Sequence, residues 1–182
     1  QFGGNIFTSC TKLESVVFAD GAEIIPANAL YGCTTIKKVT IPDTVTAIGN
    51  QAFMGCTSLE IIDIPASVTS IGSSAFSGCS SLDDVKLPVS LKSIGGLAFA
   101  NCTSFEKVEI PASVVNIDGS AFNGCTGISS LVINEGVTTI GEYAFAGCIK
   151  LKNVVIPSTV TATGANIFQS CAKLTDVSFA EK

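Results

Sequence analysis

Eight cysteines stand at a constant separation of 23 residues: Cys10, Cys33, Cys56, Cys79, Cys102, Cys125, Cys148 and Cys171. Such a column could bind metal, form disulfides or supply a nucleophile. Zinc sites take closely spaced cysteine pairs, often with histidine partners, and this chain has no histidine and no C-x-x-C. A disulfide needs a particular dihedral between its two sulfurs. Side chains stacked in equivalent rotamers put the sulfurs one above another instead. The favoured reading is a ladder of buried free thiols acting as small hydrophobes. The carboxylates offer a second chemistry. Asp83-Asp84 with Glu60, Asp63, Glu106 and Glu109 could serve as paired acids for glycoside hydrolysis. They recur as exposed columns, however, with no sign of a pocket, and no D-x-D-x-D-G calcium loop occurs. The expectation is therefore a chain that is not an enzyme and uses no metal and no cofactor.

The elements that hold these residues follow from the same period. Aligned on cysteine, the unit reads C-x-x-L-x-x-V-x-I-P-x-x-V-T-x-I-G-x-x-A-F-x-G. The V and I positions, such as Val39 and Ile41 or Val108 and Ile110, are two apart and share one face of a strand. Proline ends that strand at Pro42, Pro65, Pro88, Pro111 and Pro157, because it lacks the N–H a ladder needs. The V-T-x-I piece that follows reads as a short strand or a 3₁₀-like turn. An A-F-x-G-C corner closes the coil, and its glycine, replaced by Asn101 in one copy, predicts a positive φ. One coil cannot bury its own apolar positions. A fixed period of this length is the signature of a solenoid, in which stacked coils share a continuous core.

Composition narrows function. Of 182 residues, 14% are charged, and the net charge is −5 with no arginine. Phosphate binding wants clustered Lys and Arg with bidentate forks, so nucleic acid is excluded as a partner. No apolar run approaches the roughly 20 residues of a membrane span, so this segment is not membrane-inserted.

The repeating unit resembles the leucine-rich-repeat subclass of BspA-like surface proteins, also called the Treponema pallidum type, over the whole chain. The resemblance implies a solenoid of 23-residue coils with a parallel β-sheet on the concave face and short strands, 3₁₀ or helical turns on the convex side. It also implies a cell-surface or secreted protein that adheres to a host or matrix protein or a surface glycan. It supplies no catalytic residues. On these grounds residues 1–182 are expected to form one solenoid of about eight coils.

The outward strand positions are the candidate ligand surface: Lys38, Thr40, Ile61, Asp63, Asp84, Lys86, Lys107, Glu109, Val132 and Val155. Lys86 between Asp63 and Glu109, and Lys37 between Glu14 and Glu60, suggest ion-pair ladders. Exposed pairs of that kind contribute about 0–1 kcal/mol each. Val132 and Val155 suggest an apolar patch. A passive rigid spacer is the competing role, favoured by the absence of Trp and Arg, the usual hot-spot residues. Threonines at Thr46, Thr69, Thr138 and Thr161 read as β-propensity, and the sequon Asn101-Cys102-Thr103 as a corner rather than a glycan site. The termini resemble one another. Gly3-Gly4-Asn5-Ile6-Phe7-Thr8-Ser9-Cys10 matches Gly164-Ala165-Asn166-Ile167-Phe168-Gln169-Ser170-Cys171, which predicts a segment of a longer array that associates end to end for want of caps.

Overall fold

The structure, a computed structural model, describes Phe7, residues 10–83 and residues 85–181. In chain order the strands are β1 (Ser15–Val17), β2 (Ile24–Ile25), β3 (Lys38–Thr40), β4 (Ala47–Ile48), β5 (Ile61–Ile62), β6 (Ser70–Ile71), β7 (Ser93–Ile94), β8 (Lys107–Ile110), β9 (Asn116–Ile117), β10 (Ser130–Ile133), β11 (Thr139–Ile140), β12 (Asn153–Ile156), β13 (Ala162–Thr163) and β14 (Asp176–Phe179). Every registered pair is parallel, and partners stand 23 residues apart, as in Val16 with Val39 and Ile48 with Ile71. The chain is a parallel β-solenoid of about seven turns.

The V-x-I segments form the first wall. Its alternation is direct: Lys107 and Glu109 are exposed while Val108 and Ile110 are buried. The V-T-x-I segments form the second wall, a seven-stranded sheet ordered β13-β11-β9-β7-β6-β4-β2. The piece that read as strand or turn is thus strand, although each strand has two residues. No helix occurs among the described residues. The A-F-x-G-C corner is a run of turns in which N–H groups alternate in target. Ala52, Met54 and Cys56 donate three residues back, to Gly49, Gln51 and Phe53. Gln51, Phe53 and Gly55 donate to Ser73, Ala75 and Ser77 of the next coil.

Two columns take the left-handed conformation. The glycine before cysteine has φ of 71–75° at Gly32, Gly55, Gly78, Gly124 and Gly147, and Asn101 takes 59° in its place. A second left-handed column was not foreseen. Asn28, Gln51, Ser74, Leu97, Ser120, Tyr143 and Asn166 have φ of 54–59°. Asparagine recurs there, and its tolerance of this region was the available signal.

The core lies between the walls and the corner. Phe53, Phe76, Phe99, Phe122 and Phe145 are buried. Their rings stack with centroids 5.0, 5.1, 5.2 and 5.3 Å apart in chain order, and Phe168 continues the stack at 5.8 Å. Offset aromatic pairs at such distances contribute beyond their buried area.

Candidate interaction surface

The thiol column was the first candidate for chemistry, and it turns inward. Cys33, Cys56, Cys79, Cys102, Cys125 and Cys148 are buried, Cys171 is half-buried, and Cys10 is exposed; all eight are free. The thiols do more than fill space. The sulfur of Cys79 donates to the Phe53 carbonyl at 3.1 Å, Cys102 to Phe76 at 3.2 Å and Cys125 to Phe99 at 3.0 Å. The same phenylalanine carbonyl accepts the N–H of its own coil's cysteine, as in Cys56 to Phe53 at 3.1 Å. A carbonyl has two lone pairs, and both are used. Burial, reinforced by the thiol of Cys33 below, pushes the Cys56 thiol up to about 12. Burial likewise pushes Cys125 up to about 12 and holds Cys79 and Cys102 above their ordinary range. A thiol held protonated is a poor nucleophile.

Hydroxyls form two further ladders, one of them on the threonines whose type also suits a strand. Thr46 and Thr69 each donate Oγ1–H to the carbonyl one coil earlier, Glu23 and Thr46, at 3.2 Å. Thr138 and Thr161 do the same to Val115 and Thr138. Before the second wall, Thr44, Ser67, Ser90 and Thr159 donate to Ala22, Val45, Val68 and Val137 at 2.6–2.8 Å. Ser113 stands in this column with its buried Oγ unpaired. At Gly136, where the column has no hydroxyl, the N–H instead donates to Thr159 Oγ1 at 3.0 Å.

The first wall carries the varied, exposed side chains. Lys38, Thr40, Ile61, Asp63, Lys86, Lys107, Glu109, Val132 and Val155 are all exposed. Asp84 lies outside the described residues, as do residues 3–6, Thr8 and Ser9 of the terminal match. The wall is not continuous. It divides into β1-β3-β5, β8-β10 and β12-β14, and Val85–Leu87 has no strand. A cleft of about 220 Å³ lies on one side of this stretch, lined by Ile61, Ile62, Asp63, Ile64 and Lys86. A second, of about 450 Å³, lies on the other, with Leu87, Lys107, Glu109 and Val132 on its lining. The structure therefore gathers six candidate residues, Ile61, Asp63, Lys86, Lys107, Glu109 and Val132, around one interruption. Lys38 joins them through its register with Ile61. Thr40 and Val155 line neither cleft.

The ladder of ions centred on Lys86 is not formed. Among the described residues the one ion pair is Lys37 with Glu14 at 3.5 Å, both side chains more than half exposed. Lys37 does not reach Glu60 within ion-pair distance. Solvation competes well with such pairs at the surface, so Lys86 keeps its ammonium in water. Glu109 accepts from Asn134 Nδ2 at 3.1 Å instead. Among the described residues no group of three or more His, Cys, Asp or Glu is placed to hold a metal, and no helix is long and apolar enough to cross a membrane.

Comparison with known proteins fits this geometry. A model of the BspA-type leucine-rich-repeat region matches residues 1–129 and 92–182 in six copies. A leucine-rich repeat protein of Bacteroides ovatus superposes with a TM-score of 0.85 at 34% identity, covering 90% of this chain. The Treponema pallidum leucine-rich repeat protein does so with 0.83 at 32% identity, also over 90% of this chain and over 79% of its own. A leucine-rich cell surface protein of Faecalibacterium prausnitzii matches with 0.54 at 28% identity over 97% of this chain and 62% of its own. The chain spans 45% of the Bacteroides ovatus protein. No curated protein matches. With the repeat, the fold and the family model in agreement over its whole length, the chain belongs to the BspA-type leucine-rich-repeat family.

Proposed function

We propose that the chain is an adhesion module of a cell-surface or secreted protein, binding a host or matrix protein or a surface glycan through its first wall. The observation that carries this reading is the interruption at Val85–Leu87. There the uniform core columns surround a stretch where apolar floor and charged rim meet, with Ile61, Ile62 and Leu87 beside Asp63, Lys86, Lys107 and Glu109. Varied exposed residues on an unvarying scaffold are what a solenoid displays when its face is read by a partner. The Faecalibacterium prausnitzii relative being a cell surface protein supports the location. Charge reversal at Asp63, Lys86 and Glu109, made together in the full protein, is the test. Loss of adherence with the fold retained is expected, and undiminished adherence would falsify the assignment of this face.

The spacer reading keeps one specific support. The second wall runs without a break from β2 to β13, and the phenylalanine stack from Phe53 to Phe168, so neighbouring coils are tied together on two sides. Swapping in an unrelated solenoid of equal length separates the two. Adherence that survives the swap identifies a spacer.

A further inference from the structure

A cleft of about 660 Å³ lies on the flank of the first wall, where the coils pass from corner to V-x-I strand. Asp83, Glu106, Lys107 and Lys150 bring charge to its lining, Thr103 and Ser104 bring hydroxyls, and Gly127 brings backbone alone. The glycine makes the cleft. The second position after cysteine is Thr35, Ser58, Ser81 and Ser104 in successive coils, then Gly127, then Lys150. Gly127 is buried, while every other lining residue reaches solvent. A Cβ there would run into the Thr103 and Phe105 carbonyl oxygens, so the backbone lies down on the coil before it. No side chain stands between Ser104 and Lys150, and that gap is the floor. The carboxylate columns were expected to show no pocket; Asp83 and Glu106 border one because of this residue.

The lining selects its ligand. None of its side chains is apolar. Protein partners bind through anchors seated in well-packed, desolvated pockets, and this cleft has no apolar wall to seat one. Among the described residues its four charged groups form no ion pair, with one another or elsewhere. Thr103 Oγ1 donates to the Ser80 carbonyl at 3.3 Å, which leaves its lone pairs open. Charge is also ordered along the axis. Asp83 belongs to one coil, Glu106 and Lys107 to the next, and Lys150 to the second after that, about 14 Å in all at the spacing of strands in a sheet. Carboxylates stand at one end and an ammonium at the other. We propose that this cleft binds an oligosaccharide containing a hexuronic acid. The sugar carboxylate meets Lys150 and Lys107, and ring hydroxyls donate to Asp83 and Glu106. The proposal rests on the adhesion reading and names the class of glycan within it. Hydrogen bonds to ionised acceptors are the strong ones, so two unpaired carboxylates favour a polyol. Two unpaired ammoniums favour an anion. A uronic acid is both, whereas a densely sulfated chain would set like charge against Asp83 and Glu106. The volume falls within the range of small-ligand sites.

The probes are a hyaluronan tetrasaccharide, in which glucuronic acid alternates with N-acetylglucosamine, and the same tetrasaccharide with its carboxylates methyl-esterified. Titrating the chain with the acid is expected to shift the amide resonances of Ser104 and Gly127. The ester is expected to bind about tenfold more weakly, having lost a charge-assisted contact. Added salt weakens binding of the acid and leaves that of the ester unchanged. Lys150→Gln alters an exposed side chain, so circular dichroism remains that of the parent. It is expected to weaken the acid about tenfold and the ester hardly at all. Glu106→Ala is expected to weaken acid and ester alike. An unmoved Gly127 resonance at millimolar saccharide overturns the proposal. So does equal affinity for acid and ester, or a Lys150→Gln chain that binds the acid as the parent does. Charge reversal at Asp63, Lys86 and Glu109 leaves the lining of this cleft intact. Adherence that falls on that reversal, in a chain that does not bind the saccharide, overturns the saccharide and keeps the adhesive wall.

Discussion

The two walls of this solenoid repeat with the same period, yet one is unbroken and the other is in pieces. On the second wall the outward residues of successive strands are Ile24, Ala47, Ser70, Ser93, Asn116, Thr139 and Ala162, none of them charged. On the first, Glu60, Asp83 and Glu106 stand above one another in a single column, beside the stretch that has no strand. Like charges directly opposite one another destabilise strand pairing. Period alone does not make a sheet: like charges stand where the ladder opens at Val85–Leu87, whereas between β10 and β12 it opens beside the neutral Ser130, Val132, Asn153 and Val155. The wall that tolerates charge is also the one that displays variety, so the cost in regularity falls on the surface proposed for recognition.

The comparison breaks most visibly in the core. Ile94 on the second wall is fully buried, and Ile94→Ala is expected to cost about 2–5 kcal/mol. Val85, in the interrupted stretch, is half-buried, and Val85→Ala is expected to cost about 1 kcal/mol or less. Urea unfolding of the two variants measures the difference. Equal losses would mean that the first wall is as tightly held as the second.

Alkali attacks what both walls share. The folded thiols of Cys56 and Cys125 hold their protons to about 12, against an ordinary value of 9.0. Between those values the folded chain binds more protons than the unfolded one, so stability falls as pH rises. The contribution is whole below pH 9 and is lost toward pH 12. Each such thiol contributes a slope approaching 1.4 kcal/mol per pH unit. Denaturant midpoints between pH 7 and 11 should fall steeply above 9, and Cys56→Ser should flatten the decline. A midpoint level through pH 11 would refute the thiol ladder as a buried, protonated feature.

A finer contrast lies within the hydroxyl column beside the second wall. Ser90→Ala removes the bond to Val68 at 2.7 Å and should cost about 1 kcal/mol. Ser113→Ala removes an oxygen with no partner and should be neutral or stabilising. Reversal of that order would show that Ser113 is hydrogen-bonded after all.

Much of this was legible in the sequence, for a reason visible in particular columns. Residues that meet their own kind one coil away must all satisfy the same environment, so Phe76, Cys79, Val108 and Ile110 announce the core by recurrence. The left-handed Gln51 and Leu97 were not legible, because that corner constrains the backbone and leaves the side chain free to vary. The thiol and hydroxyl bonds were hidden for a related reason: Cys79 and Thr69 fit hydrophobic and β-propensity readings equally well, and only the carbonyl one coil away tells them apart. The missing ion ladder at Lys86 shows the limit of alignment. Adjacent columns place charges near one another, but exposed side chains choose water.

The smallest effect tests the cause of the break itself. In the column of Asp83, two other coils carry hydroxyls that donate to the carbonyl of the coil before: Ser129 to Glu106 and Thr175 to Lys152, each at 3.3 Å. Asp83 makes a backbone bond to Glu60 at 3.3 Å but has no hydroxyl to reinforce it. Asp83→Thr removes the middle carboxylate of the column and supplies that donor together with a β-branched side chain. The expected gain is a few tenths of a kcal/mol in global stability. A larger rise is expected in hydrogen-exchange protection at Val85–Leu87, with protection on the second wall unchanged. If the amides of Val85–Leu87 exchange as fast as before, stacked charge is not what opens the first wall. If they slow and adherence falls together, the interruption itself is the feature the partner reads.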